Sequence, residues 1–217
     1  MVFEKYSSWC TGKLMLGNKK MEAVAFPLVS IVTVVYNNVQ YIRDAIESVL
    51  SQDYPKLEYV IIDGGSTDGT VKIIEEYKDK ISVFISEPDS GIYDALNKGV
   101  RHASGDIIGI LHSDDLFSDE NVISEAENEM QNAKAEFCFS SLVIIDDISG
   151  KIIRHYRVHY FRRWMLRMGL MPPHPTTFFK KSLFEEFGLY SERYKIAGDF
   201  DFFVRILYAR DIRWTFM

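Results

Sequence analysis

Two adjacent carboxylates, Asp114 and Asp115, close the short apolar run DIIGILHSDDLF at Asp106–Phe117. Crowded carboxylates repel unless a cation or hydrogen-bond donors hold them. A hard divalent ion shared with a phosphorylated ligand is the economical partner, because Mg²⁺ or Mn²⁺ takes one or two carboxylates and completes its shell with phosphate oxygens and water. The plainer reading of such a pair is a solvated loop with a helix N-cap. Asp63 ends a second apolar run, LEYVIID, just before Gly64-Gly65. It reads equally as a turn-former, with Ser66 or Thr67 capping the next helix, or as a ligand contact at the same sheet edge. Asp199 and Asp201 head the stretch GDFDFFVRILYAR, where carboxylates ordinarily cap a helix and gain from its dipole. Transfer to an alcohol also needs a general base near the acceptor hydroxyl. Asp199 follows Ala197-Gly198, with no bulk beside it to close the approach, and suits that role better than Asp201.

Three other side chains carry weaker signals. Tyr36, at the mouth of the first strand, offers a ring for a base to stack on, although a tyrosine there is often only the rim of a core. His174 lies between prolines and is a candidate for the metal or the acceptor, but a packed loop histidine is the favoured reading. His155 and His159 fall in a strand pattern without H-E-x-x-H and read as surface residues.

The elements that must position these groups alternate regularly at first. LVSIVTVVY predicts a buried strand from Leu28, Asn37-Asn38 its turn, and Val39, Ile42, Ile46, Val49 and Leu50 a helix ending before Pro55. LEYVIID predicts a second strand, Val71, Ile74 and Tyr77 a short helix, ISVFIS a third strand, and GIYDALNKGVRHA a third helix leading to the acidic run. Strands and helices in strict alternation predict a doubly wound α/β sheet with right-handed crossovers, placing the carboxylates at the carboxyl edge. This half spans 28–117, and residues 1–27 form an N-terminal arm without a sustained period. Over 118–217, Ser118 reads as the N-cap of a helix through Val122, Ile123 and Ala126. AEFCFSSLVIID and KIIRHYRV, flanking DDISG, read as a hairpin. FRRWMLRMGL reads as a short basic helix stopped by PPHP. A strand at TTFFKK, a helix at SLFEEFG, a longer helix from Gly198 and a final strand pattern at IRWTFM complete the chain, with further protein expected beyond it.

At 217 residues, with 47% hydrophobic and 14% aromatic content, the chain buries a real core. A net charge of -6 argues against general nucleic-acid binding. Basic residues nevertheless crowd Arg154–Arg167, a segment suited to a phosphate-rich partner or an anionic bilayer. Two cysteines, Cys10 and Cys138, make no disulfide framework or metal cluster, and neither a membrane span nor a signal peptide is evident, so a cytoplasmic site is expected. Both G-x-G-x-x-G and the P-loop are absent, so phosphates of a bound nucleotide would be held through a metal on the Asp pair.

The ordered set LVSIVTVVYNN, YVIIDGGSTDGT, SEPDSGIYDALNKG, ASGDIIGILHSDD, HPTTFFKKSLFEEFGLY and YKIAGDFDFFVRI resembles the family-2 glycosyltransferases of the GT-A fold that build bacterial O-antigen and surface polysaccharide. The resemblance implies a Rossmann-like mixed sheet flanked by helices, with a smaller acceptor-side region. It implies that Val34 and Tyr36 flank the nucleobase, Asp63 bonds its edge, Asp94 lines the donor pocket, Asp114 faces ribose and sugar, Asp115 binds Mn²⁺ or Mg²⁺, and Asp199 is the catalytic base. Many relatives carry Glu just before that base where Gly198 stands here, and HPTTFF departs from a commoner His-Gln form. The expected reaction is inverting transfer of a hexose or N-acetylhexosamine from a UDP-sugar to a polyprenyl-diphosphate-linked saccharide, with peripheral contact at the inner face of the membrane. A non-catalytic sugar-nucleotide-binding subunit is the alternative. A nucleotidyltransferase would need a glycine-rich basic loop after the first strand, and none is present.

Overall fold

The structure is a computed structural model and describes residues 26–157 and 160–217. The first half alternates as the sequence predicts: β1 (Val29–Val35), α1 (Ile42–Leu50), β2 (Leu57–Asp63), α2 (Thr70–Glu75), β3 (Val83–Ser86), α3 (Ile92–His102) and β4 (Ile107–Ile110). The second half contains α4 (Val122–Asn132), β5 (Phe137–Phe139), β6 (Leu142–Ile145), β7 (Ile152–Tyr156), β8 (Thr177–Lys180), α5 (Lys181–Phe187), α6 (Gly198–Ala209) and β9 (Trp214–Phe216).

A seven-stranded sheet runs in the order β3-β2-β1-β4-β8-β5-β9. Strands β3, β2, β1 and β4 are parallel, β8 is antiparallel to both β4 and β5, and β9 is parallel to β5. The mixed α/β architecture is therefore the one expected. β1 sits centrally and is buried on both faces because its apolar side chains alternate. Val29, Ile31 and Val35 pack with Ile42, Ile46 and Val49 of α1 and with Ile123 and Met130 of α4. Val32 and Val34 pack on the opposite face with Leu96 and Val100 of α3 and the aromatic side chains of α5 and α6. Among the described residues no helix is long and apolar enough to cross a membrane.

Two local expectations are corrected and a third is sharpened. Ser118 does not cap α4: the helix begins after Asn121, Ser118 bonds Asp119, and Gln52 from the end of α1 accepts the Ile123 N–H at 3.2 Å. The expected hairpin splits at Ser140-Ser141. Phe137, Cys138 and Phe139 are fully buried and join the main sheet, while the half-exposed β6 pairs antiparallel with β7 as a separate ribbon. The basic segment winds as a 3₁₀ helix at Arg163–Met168, not an α-helix. Gly169 comes next with φ 74°, and only Leu166 is buried in the segment, so there is no apolar stripe to reward a longer helix. His159 and the arm through residue 25 lie outside the described residues; His155 is exposed on β7, opposite Val143.

Candidate functional site

The carboxyl ends of β1, β2 and β4 are stitched together by their turns. Asn37 adopts φ 48°, a left-handed conformation that Asn tolerates, and its Oδ1 accepts the Thr67 N–H at 2.8 Å. Asn38 donates its N–H to Thr70 Oγ1 at 2.9 Å and its Nδ2 to Ser113 Oγ at 2.8 Å. One glycine-free turn thereby fixes both the GGSTDGT turn after β2 and the acidic turn after β4. Asp63 is fully buried. Its Oδ2 accepts Gly65 N–H at 3.1 Å, Ser66 N–H at 3.0 Å and Ser86 Oγ at 2.6 Å, while its Oδ1 accepts the Ser66 hydroxyl. The turn-forming role is thus filled. Tyr36 is 65% exposed just above it, and Val34, two residues earlier, is buried in the strand. Gly64 lies between Tyr36 and Asp89: a Cβ there would fall 3.3 Å from Tyr36 Cδ2 and 3.2 Å from Asp89 Cγ. Tyr36, the Gly64 backbone and Asp89 therefore adjoin one another at the sheet edge.

Asp114 is exposed and Asp115 half-buried on the turn after β4, where the Asp115 N–H donates to the His112 carbonyl at 3.1 Å. Neither carboxylate takes a hydrogen bond or ion pair from a described residue. Burial pushes the Asp115 carboxyl above the usual range; the neighbouring Asp114 charge adds to this, and His112 opposes it. Among the described residues no three His, Cys, Asp or Glu groups converge as a metal cage. The donor set still fits the ion expected: two oxygen-only ligands without a protein cation suit Mg²⁺ or Mn²⁺ shared with phosphates, which bind through one or two carboxylates rather than a full protein shell.

On the other side of β1, Asp94 sits in the first turn of α3 and accepts the Ser90 N–H at 3.0 Å, with Lys98 at 3.4 Å. The Ser90 bond holds its carboxyl below the usual range; burial opposes this, and the Lys98 charge adds to it. A cavity of about 430 Å³ opens here, lined by Ser90–Asp94 together with Glu192, Tyr194 and Lys195.

Tyr93, from the wall of that cavity, reaches Asp199. Its hydroxyl lies 3.0 Å from Asp199 Oδ1 and 3.0 Å from the Ile196 carbonyl. Asp199 Oδ1 also accepts the Phe200 N–H at 2.9 Å, whereas Oδ2 takes no hydrogen bond from a described residue. Gly198 makes this contact possible, because a Cβ there would stand 2.9 Å from Tyr93 Cε2 and Cζ. Asp201, by contrast, pairs with Arg205 at 2.8 Å and belongs to the structure of α6.

His174 is buried on a 3₁₀ turn before β8. Its Nε2 is 2.9 Å from Tyr190 Oη, and its ring centroid is 6.2 Å from that of His112. Burial lowers its pKa to about 3, helped by His112, so the imidazole is neutral. Tyr190 in turn lies 6.1 Å from Tyr93. A contiguous row of rings, His112, His174, Tyr190 and Tyr93, thus connects the acidic turn to Asp199. His174 belongs to the packed support of the site, as the plainer sequence reading holds.

The structure brings Asp114 and Asp115 together on one turn, fixes Asp63 and Tyr36 on the adjoining edge, and links Asp94 and Asp199 through neighbouring residues of α3. Sequence reading passed over Tyr93, Tyr190, Asp89 and Ser86, and took Asn38 only as a turn residue. A place directly before Asp94 in GIYDALNKG is the only local trace that Tyr93 leaves in the sequence.

Comparison with known proteins gives this geometry a context. The sequence profile described as Glycosyl transferase family 2 matches residues 30–188. An uncharacterised glycosyltransferase of Mycobacterium tuberculosis is 33% identical over 185 residues, covering 82% of this chain and 68% of that protein. A Bacillus subtilis glycosyltransferase named for teichuronic acid biosynthesis, TuaG, is 38% identical over 112 residues, 50% of this chain and 44% of its own. Among solved structures, S. aureus TarS 1-349 superposes with TM-score 0.71 at 20% identity, over 88% of this chain and 58% of that fragment. The mannosyltransferase PcManGT from Pyrobaculum calidifontis, in complex with GDP-Man and Mn²⁺, superposes with TM-score 0.68 at 20% identity, over 89% of this chain and 55% of that one.

Proposed function

The chain belongs to glycosyl transferase family 2, and from that premise we propose that it is a metal-dependent inverting transferase. It moves a hexose or N-acetylhexosamine from a UDP-sugar to a hydroxyl of a lipid-diphosphate-linked saccharide in O-antigen or capsule assembly. TarS in complex with UDP-GlcNAc shares the fold, and the teichuronic acid relative supports a surface-polysaccharide setting. The observation that carries the reading is the tether from Tyr93 to Asp199, which fixes one carboxylate oxygen and leaves Oδ2 open for an acceptor hydroxyl.

In this mechanism Tyr36 stacks on the base, the edge at Val34 and Asp63 shapes its pocket, and Asp94 and Asp114 orient ribose and sugar. Asp115, with Asp114, would hold Mn²⁺ or Mg²⁺, which when bound neutralises charge on the departing diphosphate. Asp199 Oδ2 takes the acceptor proton as the acceptor oxygen forms its bond to C1. The C1–O bond to the β-phosphate breaks on the opposite face, and UDP leaves with the electron pair. An α-linked donor therefore yields a β-glycoside. His174 acts from behind, keeping Tyr190 in place. The acceptor's lipid carrier puts the enzyme at the cytoplasmic face of a membrane, as a peripheral protein.

The test is a panel of nucleotide sugars with Mn²⁺ or Mg²⁺ and a diphosphate-lipid acceptor, monitoring nucleoside diphosphate release and the anomeric coupling of the product. Pyrophosphate release, or binding without turnover, would defeat the proposal. An α-linked product from an α-linked donor would defeat its stereochemistry.

A further inference from the structure

We propose that the β6–β7 ribbon and the basic 3₁₀ helix after it form a surface that docks on an anionic lipid bilayer. A two-stranded ribbon is marginal in water unless one face is covered, and both faces of this one leave aliphatic side chains exposed. Val143 and Ile144, adjacent and hence on opposite faces, are both exposed. Ile152 and Ile153 repeat the pattern on the partner strand, and Ile148 at the turn is 97% exposed. The turn itself is anchored, since Tyr41 Oη donates to Asp147 Oδ2 at 2.7 Å and Gln40 Nε2 reaches the same oxygen at 3.4 Å.

Charge identifies the occupant. In a chain of net charge -6, no Asp or Glu occurs between Asp147 and Thr176, while Lys151, Arg154, Arg157, Arg162, Arg163 and Arg167 fall there. Of these six, Arg163 alone has a carboxylate partner among the described residues, Asp211 at 2.9 Å. Tyr160, Trp164 and Met168 are exposed in the same stretch. Exposed aliphatic groups, exposed Trp and Tyr, and arginines that mostly lack a carboxylate partner among the described residues suit the boundary of an anionic bilayer, where apolar groups enter the acyl margin and cations meet phosphate headgroups. A second copy of this chain is disfavoured, because it would set one mainly cationic surface against another.

The position of the ribbon gives docking a consequence. Its anchor, Tyr41, stands three residues after Asn38, whose Nδ2 donates to Ser113 Oγ at 2.8 Å, so a bilayer held by the ribbon lies beside the acidic turn. This deepens the lipid-linked acceptor reading but is tested without turnover. Flotation of the full chain with phosphatidylglycerol-containing vesicles should show binding that exceeds binding to pure phosphatidylcholine and weakens with salt. Arg157→Gln and Arg167→Gln should each weaken it about fivefold. The double variant Ile148→Asp/Ile153→Asp should abolish it with an unchanged circular dichroism spectrum and melting temperature. Equal binding to neutral vesicles, or an isoleucine variant that floats as the parent does, overturns the proposal. So does a dimer in solution that the isoleucine variant dissolves while the parent ignores vesicles.

Discussion

The carboxylates at the end of β4 and the carboxylate at the head of α6 are treated in opposite ways by the surrounding chain. Asp114 and Asp115 stand side by side without a donor or a cation from the described residues, and burial makes ionised Asp115 costly. Asp199 is held at one oxygen by Tyr93 and its own helix N-terminus, with the other oxygen free. An unsatisfied acidic pair attracts a cation; a tethered acid with one free oxygen is oriented toward a proton. In the proposed reaction the two turns divide the labour, so each side can be disabled separately.

The largest losses are expected from neutralising either acid. Asp199→Asn should lower kcat by about 10²–10⁴-fold, with donor binding retained, as removal of a general base does. Asp115→Asn should lower kcat by about 10³-fold and also weaken metal-dependent donor binding. Donor titration of both variants by calorimetry, with and without Mn²⁺, separates the two roles. If Asp199→Asn loses the donor while Asp115→Asn keeps it, the assignment is reversed.

A smaller effect tests the tether. Tyr93→Phe removes the hydroxyl but keeps the ring, and kcat should fall about tenfold with donor KM unchanged, in line with the loss of a hydrogen bond to a charged group. Gly198→Ala should produce a similar loss, because its Cβ would stand 2.9 Å from the Tyr93 ring. Combining the two should cost little more than either alone, since both act by releasing the same carboxylate. Full additivity of the two losses would show that Tyr93 and Gly198 act on different things.

The two sides also differ in how much of them was legible in the sequence. The parallel half was readable because each β-branched run leads into its own amphipathic helix, so strand, turn and carboxylate fall in a fixed order. The second half depends on partners far apart in the chain. β8 inserts antiparallel between β4 and β5, and nothing local in TTFFK specifies that. Phe137–Phe139 and Leu142–Ile145 are comparably apolar, yet one is buried in the main sheet and the other is exposed. The candidate acids were found because charge at a strand or helix end stands out. Tyr93 was not, because its role depends on the missing side chain of Gly198, more than a hundred positions away.

His174 carries the contrast into stability. Its folded pKa of about 3 lies below the ordinary 6.5, so the unfolded chain takes up the proton first. The stability that depends on the neutral ring is complete above pH 6.5 and is lost as pH falls from there toward 3. His174→Gln should flatten urea-derived stability across that window, whatever it costs at neutral pH. An unchanged pH slope would mean that the imidazole is not the group that titrates. No comparable change is expected from Asn38→Ala, because an amide does not titrate.

The smallest expected difference concerns the two asparagines that tie each side together. Asn97 is buried: its Nδ2 donates to the Tyr190 carbonyl at 3.0 Å and to Glu192 at 2.9 Å, and its Oδ1 accepts the Tyr190 N–H at 2.9 Å. Asn38 is half-exposed and donates its side chain once, to Ser113 at 2.8 Å. Truncating a buried amide strands its partners away from water, whereas water replaces the partner of an accessible one. Asn97→Ala should therefore cost about 2–3 kcal/mol and Asn38→Ala about 1 kcal/mol in urea unfolding. The kinetic cost should run the other way. Asn38→Ala frees the acidic turn and should raise the metal concentration needed for half-maximal transfer, while Asn97→Ala should leave it unchanged. A metal requirement that moves with Asn97 instead would mean that the ring row, and not the stitched turns, sets the position of Asp115.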